Sequence, residues 1–301
     1  PEAVYHRATR RKSAPPMPLE SSITGFETPP FHYDIDNRWL MAYAAGIGDP
    51  APCYRDSTQA IAMHPVFPVC VEWDAVLAVL AATRAHGLSA AECARSVHAE
   101  HDLQVFRPLT AGMRVRASAT VVGVEQRRPG AFLTMRIDTV DEAGELCCRT
   151  WQGNLFRDVE LAGAARHLTE APRWPVAGGP ATPAQVASIV IPLNAAHVYT
   201  ECSRIWNPIH TDLAWAEAAG LPAIILHGTA TLAYAVSALL ASTGDAPARV
   251  RRLGGRFSGM VWLPDALRLE GGVAEAGVRA FRVVNADGRE VISRGFCAAV
   301  A

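Results

Sequence analysis

The sequence predicts an α+β protein made of two similar halves arranged in tandem. Each half has one long segment that is apolar nearly all round, at residues 72–86 and 228–240, which is typical of a buried helix. Strand-like segments with alternating or β-branched residues follow each of these helices. A turn with an acidic residue and a glycine precedes the last strand of each half, at residues 141–144 and 285–288. Because the order of elements is the same in both halves, the sequence indicates an internal duplication.

The first half begins with a proline-rich stretch, residues 1–30, which we predict to be an extended arm. A helix is predicted at residues 36–46, with Asp36 as its N-cap and Gly46 or Gly48 at its end. The strands predicted after the long helix cover residues 97–105, 114–124, 132–140 and 145–156.

Residues 160–185 contain four prolines and three glycines with little periodicity, and we predict an interdomain linker there. It separates two predicted domains, residues 1–159 and residues 186–301. The second domain begins with helical or turn structure at 198–203 and a short helix at 212–219. Its predicted strands cover residues 251–257, 266–273, 278–284 and 289–299.

The repeat is visible in one stretch of sequence. Residues 43–56 can be placed over residues 199–212 without a gap. The three identities are Tyr43 with Tyr199, Pro52 with Pro208 and Asp56 with Asp212. A long apolar helix wrapped by a twisted antiparallel sheet is the hot-dog arrangement. The expected fold is therefore two tandem hot-dog domains that pack like a homodimer fused into one chain.

Composition argues against several classes of protein. The 301 residues suffice for two domains, and half of them are hydrophobic, so the chain can bury real cores. The formal net charge is −1 and no long basic run occurs, which argues against nucleic-acid binding. The seven cysteines are odd in number and form no C-x-x-C pair, so neither a zinc site nor a disulfide framework is expected.

No apolar run reaches the roughly 18 residues that a membrane span needs. The first 25 residues also lack the charged start and apolar stretch of a signal peptide. Reduced cysteines in apolar neighbourhoods suit the cytosol. We therefore expect a cytoplasmic protein with no membrane partner, no metal and no cofactor.

The motif that carries chemistry is Asn-Pro-Ile-His-Thr-Asp at residues 207–212. A small-residue segment follows at 216–222, and then Ile-Leu-His-Gly-Thr-Ala-Thr-Leu at 225–232. This pattern resembles the signature of the MaoC-like family of (R)-specific enoyl-CoA hydratases and dehydratases. Arg-Pro-Leu-Thr-Ala-Gly at residues 107–112, before a strand, extends the resemblance over most of the chain. The resemblance implies an acyl-CoA or acyl-carrier thioester as substrate.

The resemblance also implies roles for particular residues. In the family, an Asp and a His five residues later hold one water, and backbone N–H groups at the start of the central helix bind the thioester carbonyl. The His corresponds to His210 and the motif Asn to Asn207, both assigned to catalysis. The donors at the helix start fall near Gly228 and Thr229, assigned to substrate binding.

One departure from the family's pattern puts the mechanism in question. The family's Asp falls on Ile205, which can neither accept a proton nor orient a water. The first half departs in the opposite way, because Asp49 stands at the equivalent position while Tyr54 replaces the His and Ala51 replaces the Asn. Asp49 either caps the following turn or cooperates with His210 across the two halves.

Other polar groups near the motif have two interpretations each. Asp212 either acts on His210 or caps the following helix, and Glu201 faces either the site or solvent. His227 precedes the long helix of the second half and either joins the site or is structural.

Arg204 and Trp206 flank Ile205 and are assigned to substrate binding. They either reshape the pocket, with Arg204 binding a carboxylate or the CoA phosphates, or form a surface arginine with a packed tryptophan. The expected function is an acyl-thioester hydratase or dehydratase with a nonstandard dyad. The alternatives are a related lyase or isomerase on a modified acyl substrate and a catalytically inert acyl-binding or assembly subunit. The resemblance also implies that such chains can pair as homodimers.

Overall fold

The computed structural model describes residues 17–175, 184–271 and 277–300. Residues 1–16 of the predicted arm and residues 176–183 of the predicted linker lie outside the described residues. The end of the strand predicted at 266–273 does so as well.

The first half contains two principal helices and four long strands. Its helices are α1 (Asn37–Gly46), α2 (Pro68–Ala85) and α3 (Ala90–Cys93), with 3-10 helices at Ser21–Ile23 and Pro52–Tyr54. Its strands are β1 (Leu19–Glu20), β2 (Phe31–Asp34), β3 (Ser96–Val105), β4 (Arg114–Arg127), β5 (Gly130–Asp141), β6 (Leu146–Arg157), β7 (Leu161–Ala162) and β8 (Arg166–His167). Asp36 caps α1 as predicted, because its Oδ1 accepts the Trp39 N–H at 2.7 Å.

The second half repeats this order. Its helices are α4 (Ala195–Ser203), α5 (Leu213–Ala218) and α6 (Gly228–Thr243), with 3-10 helices at Pro208–His210 and Pro247–Arg249. Its strands are β9 (Ala184–Ile191), β10 (Val250–Phe257), β11 (Asp265–Gly271), β12 (Val278–Val284) and β13 (Glu290–Ala299).

One large sheet joins the two halves. The strand order is β2-β4-β5-β6-β3-β10-β13-β12-β11-β9, with β8 attached to β4. Neighbouring strands are antiparallel. Read inward from either outer edge, the two sets of five strands follow the same order. The fold is therefore the tandem hot-dog arrangement that the repeat predicts.

The seam between the halves is the pairing of β3 with β10, from Gln104 opposite Arg252 to Glu100 opposite Arg256. At this seam Arg252 donates from Nε and Nη2 to the buried carboxylate of Asp102, at 2.8 and 2.6 Å. Gly254 is required here, because a Cβ on it would lie 2.1 Å from the carbonyl oxygen of His101.

The long helices of the two halves pack against this sheet, and the start of α2 shares one hydrophobic core with α6. α2 lies on β4 and β5, and α6 lies on strands of the second half, chiefly β9. At the centre of the core, the hydroxyls of Tyr43 and Tyr199 are 3.5 Å apart. These two tyrosines are the residues that the sequence repeat pairs, so the repeat is also a spatial pseudo-symmetry.

The prediction of an extended arm is wrong for residues 17–30. Leu19 and Ile23 are fully buried and pack with residues of α2, and β1 pairs with β7. The proline-rich composition concealed these two apolar residues, whose burial depends on a surface formed by distant parts of the chain.

Further differences concern where two elements begin and which short strands the sequence did not reveal. α2 begins at Pro68 rather than residue 72, since proline is well tolerated in the first helical turn. Within the predicted linker, β7 and β8 are two-residue strands, too short to produce a periodic pattern. β9 already begins at Ala184, and β2 is a four-residue edge strand that the sequence did not reveal.

The contact between α1 and α4 across the two halves depends on Gly46. A Cβ at this position would lie 2.6 Å from Cys202 Cβ. We therefore expect Gly46→Leu to lower the free energy of unfolding by about 1–3 kcal/mol through overpacking. Urea denaturation measures this, and Ala45→Leu, at an exposed position of the same helix, is the matched control. Equal stability of the two variants would contradict the packing constraint.

Candidate active site

The residues of the 207–212 motif build a tight turn between α4 and α5. Asn207 caps the 3-10 helix Pro208–His210, with its side chain accepting the Ile209 N–H at 3.5 Å. Pro208 occupies the first helical position, which suits its fixed φ. Asp212 caps α5, since its Oδ1 accepts the Ala214 N–H at 2.9 Å. Most polar side chains of the motif thus hold the turn that presents His210.

His210 is buried, with 9% of its surface exposed, and its protonation pattern follows from one contact. Its Nδ1 lies 2.8 Å from the backbone carbonyl oxygen of Ile225. A carbonyl can only accept, so Nδ1 carries the proton and Nε2 keeps its lone pair. Burial lowers the pKa of His210 to about 4, against the opposing effect of the Ile225 carbonyl. His210 is therefore a neutral imidazole suited to accept a proton at Nε2.

His227 stacks directly on His210. The ring centroids are 3.6 Å apart and the planes are inclined by 27°. Thr200 Oγ1 lies 3.3 Å from His227 Nε2. Burial, followed by the repulsion that a protonated His210 would exert, lowers the pKa of His227 well below its usual range, while the Ile205 backbone carbonyl opposes this. Since no carboxylate contributes to either shift, both rings stay neutral.

The start of α6 supplies hydrogen-bond donors next to this pair. The first intrahelical bond runs from the Thr231 N–H to the His227 carbonyl. Within the described residues, the N–H groups of Gly228, Thr229 and Ala230 donate to no protein acceptor. Since His227 immediately precedes these donors and its ring covers His210, the histidine pair lies next to the start of α6.

A tyrosine holds this helix start in place. The hydroxyl of Tyr199 donates to Thr229 Oγ1 at 3.1 Å, and Tyr43 lies behind it at 3.5 Å. Gly228 is close to the ring of Phe257, where a Cβ would lie at 3.2 Å. The glycine therefore lets the helix start lie against the aromatic ring.

The equivalent helix start in the first half lacks such donors. The N–H groups of Val66 and Phe67 donate to the ring and the carbonyl of His64, at 3.2 and 2.8 Å. Pro68 has no N–H, and Cys70 donates to the Phe67 carbonyl at 2.9 Å. The first half therefore cannot stabilise a developing oxyanion at this position.

The first half groups its own polar residues around His64. Its Nδ1 accepts the Val66 N–H, so Nε2 donates to Ser237 Oγ of α6, at 3.1 Å. Asp49 Oδ1 accepts the Ala51 N–H at 3.0 Å, which caps the turn. The carboxylate of Asp49 acts on the pKa values of His64 and Tyr54, whereas the pKa of His210 shows no such influence. The structure thus groups Asp49 with the first half and leaves His210 apart from it.

Arg204 and Trp206, the two residues that flank Ile205, are exposed. Arg204 adopts a left-handed conformation with φ 62°, and its guanidinium lies 4.0 Å above the Trp39 ring of α1. The repeat pairs Arg204 with Gly48, which has φ 66°. Trp206 is 58% exposed and Glu201 is exposed, while Ile205 is buried in the shared core, with 4% of its surface accessible.

Sequence reasoning missed three groups that shape the site. The Ile225 carbonyl sets the tautomer of His210, but a backbone oxygen has no sequence signature. Thr200 and Tyr199 lie on α4, one turn before its end, and their contacts with α6 depend on packing between helices. The identity of Tyr199 with Tyr43 was the available signal for a structural role.

The described ranges contain no group of three or more His, Cys, Asp or Glu residues arranged to hold a metal ion. Among the helices described, none is long and apolar enough to cross a membrane.

Two family profiles match this chain, one in each half. The family profile described as MaoC like domain matches residues 180–293. A second profile, the FAS1-like dehydratase domain region, matches residues 22–149. This chain belongs to the MaoC-like dehydratase family. The predicted resemblance is thereby confirmed.

Two relatives of this MaoC-like protein carry the names of enzymes. It is 26% identical over 187 residues to enoyl-CoA hydratase 2, peroxisomal, of Arabidopsis thaliana, covering 58% of this chain and 59% of the relative. It is 28% identical over 288 residues to peroxisomal multifunctional enzyme type 2 of Drosophila melanogaster, covering 88% of this chain and 45% of the relative. The chain thus spans about half the length of these two relatives.

Solved structures confirm the fold. A MaoC-like dehydratase from Phytophthora capsici superposes with a TM-score of 0.77 at 19% identity, over 92% of this chain and 96% of that one. The superposition covers both halves, so the tandem hot-dog architecture is shared.

The buried neutral histidines make the fold sensitive to acid. His64, His101 and His210 each have a pKa lowered to about 4 by burial, whereas an unfolded histidine titrates near 6.5. The unfolded chain therefore binds more protons between these values, and stability falls as the pH is lowered through this window. We expect each group to contribute about 1–2 kcal/mol of lost stability between pH 7 and pH 5.

Urea denaturation across this pH range measures the loss. The two ring nitrogens of His101 have no partner in the described part of the chain. We therefore expect His101→Leu to remove the contribution of this residue to the pH dependence of the free energy of unfolding. A stability that is constant or rises on acidification would contradict the neutral state of these rings.

Proposed function

We propose that this chain is an acyl-thioester hydratase or dehydratase in which His210 is the acid/base group and the family's carboxylate is absent. One observation supports this most directly: the free Nε2 of His210 lies in the same site as the unpartnered N–H groups at the start of α6. The similarity to an enoyl-CoA hydratase favours an acyl-CoA or acyl-carrier thioester as the substrate.

The reaction assigns one task to each part of this site. The N–H groups of Gly228 and Thr229 hold the thioester oxygen and stabilise the enolate that forms, assisted by the helix dipole. His210 Nε2 takes a proton from the water that attacks Cβ, so one O–H bond breaks as the C–O bond forms. The same nitrogen then delivers that proton to Cα, and dehydration is the reverse sequence.

Ile205 favours one competing proposal, an inert subunit that only binds an acyl thioester. An isoleucine buried at the family's carboxylate position cannot anchor the attacking water. The two proposals differ in whether the protein turns over substrate, and His210 is the residue that distinguishes them.

Replacing His210 tests the proposed catalytic role. We expect His210→Asn to lower the rate of crotonyl-CoA hydration by about 100-fold or more, because the general base is lost. Hydration is followed by loss of the enoyl absorbance, and His32→Asn, at an exposed position on β2, is the control. Equal rates in the wild type and His210→Asn would exclude His210 as the base, and a wild type that binds but never hydrates crotonyl-CoA would favour the inert subunit.

Restoring the carboxylate tests the nonstandard dyad. We expect Ile205→Asp to raise the hydration rate by roughly 10-fold or more, since a positioned general base typically contributes factors of this size or larger. Ile205→Asn is the matched control, because it has the same shape without the charge. If both variants hydrate equally, the missing carboxylate does not limit the reaction.

A further inference from the structure

We infer that this site also catalyses a shift of the double bond in enoyl thioesters, converting 2-enoyl into 3-enoyl thioesters through a dienolate. The inference rests on the proposed function, because it uses the same thioester site. It concerns a different reaction, which needs no water.

The first argument is the number of acid/base groups. Hydration needs a water molecule that is held in position and also deprotonated. Besides the base that removes the proton, a second polar side chain normally binds this water. The residue at the second position is Ile205, and no carboxylate influences the pKa of His210 or His227. A double-bond shift needs one base only, since the group that removes the proton can return it.

The second argument is the apolar character of the residues next to the histidines in the chain. Ile205 precedes the motif, and Leu226 and Ala230 lie on either side of the start of α6; all three are buried hydrophobic residues. Such surroundings favour a methylene group of the acyl chain over an ordered water, because a buried water requires two to four polar partners. The acyl Cγ is then the group most easily accommodated beside Ile205.

The third argument is the state of His210. With its proton on Nδ1 held by Ile225, the ring presents an unprotonated Nε2 and cannot easily rotate away. It can therefore accept a proton from Cγ and hold it within the site. His227 covers one face of the ring, which restricts the direction from which the acyl chain approaches.

The steps balance without any further reactant. The Cγ–H bond breaks and its proton moves to His210 Nε2, while the electron pair spreads through Cβ and Cα to the thioester oxygen. The N–H groups of Gly228 and Thr229 stabilise the charge on that oxygen. The proton then returns to Cα, the double bond lies between Cβ and Cγ, and His210 regains its neutral form.

Deuterium labelling separates this reaction from hydration in one sample. The wild-type protein is incubated with trans-2-hexenoyl-CoA in D2O, and the acyl group is analysed by NMR and mass spectrometry. Hydration forms a 3-hydroxyacyl product with deuterium on Cα. The proposed shift forms 3-hexenoyl-CoA, whose Cα receives the proton or deuteron, and return of the dienolate to the substrate places deuterium on Cγ of 2-hexenoyl-CoA. We expect 3-hexenoyl-CoA in the wild type and at least about a 100-fold loss of its formation in His210→Asn.

A second variant tests the role of Ile205. We expect Ile205→Asp to change the product ratio towards the 3-hydroxyacyl thioester, with Ile205→Asn as the uncharged control. A 3-hydroxyacyl product formed by the wild type without any 3-hexenoyl-CoA would overturn this inference and leave the proposed hydration intact. Formation of 3-hexenoyl-CoA that persists in His210→Asn would also overturn it, and absence of both products would contradict both proposals.

Discussion

The pairing of β3 with β10 is the contact on which the rest of the structure depends. It turns two sheets into one and brings α2 and α6 to their shared core. The backbone of Gly254 must approach His101 closely for this pairing, and the buried Asp102–Arg252 pair joins the two halves at the same place. Because both helices are anchored to one continuous sheet, the starts of α2 and α6 are fixed relative to each other.

Within this symmetric frame, the two helix starts have become chemically different. In the first half, Pro68 has no N–H, and His64 accepts the two N–H groups before it. None of the donors described at this helix start is then left for a substrate oxygen. In the second half, Gly228 and Thr229 keep their N–H groups free. The duplication therefore retains two copies of the scaffold but one set of oxyanion donors among the described residues. This places the proposed chemistry in the second half.

The environment of His210 explains how a histidine can serve there without a carboxylate. A backbone carbonyl, rather than an aspartate, orients the ring and selects its tautomer. A carbonyl carries no full charge, so it opposes only part of the effect of burial, and the imidazole remains neutral. A neutral base between apolar walls suits proton transfer between carbon atoms as well as the activation of water.

The amino-acid pattern was sufficient for the family, the duplication and the type of nearly every long element. These features are local, because neighbouring residues determine them. Examples are the 3.6-residue period of a helix, the two-residue period of a strand and a helix cap such as Asp36. The sequence alone also identified the motif around His210 and the replacement of the family's Asp by Ile205.

Folding alone established which groups meet in the site. The contact of His210 with Ile225, the stacking of His227, and the hydrogen bond from Tyr199 to Thr229 join segments whose association depends on how the helices pack. The separation of Asp49 from His210 follows from the pseudo-symmetry, which gives each half its own cluster. The burial of Leu19 in the supposed arm has the same origin, because a surface made by distant strands and a helix leaves no trace in the sequence beside it.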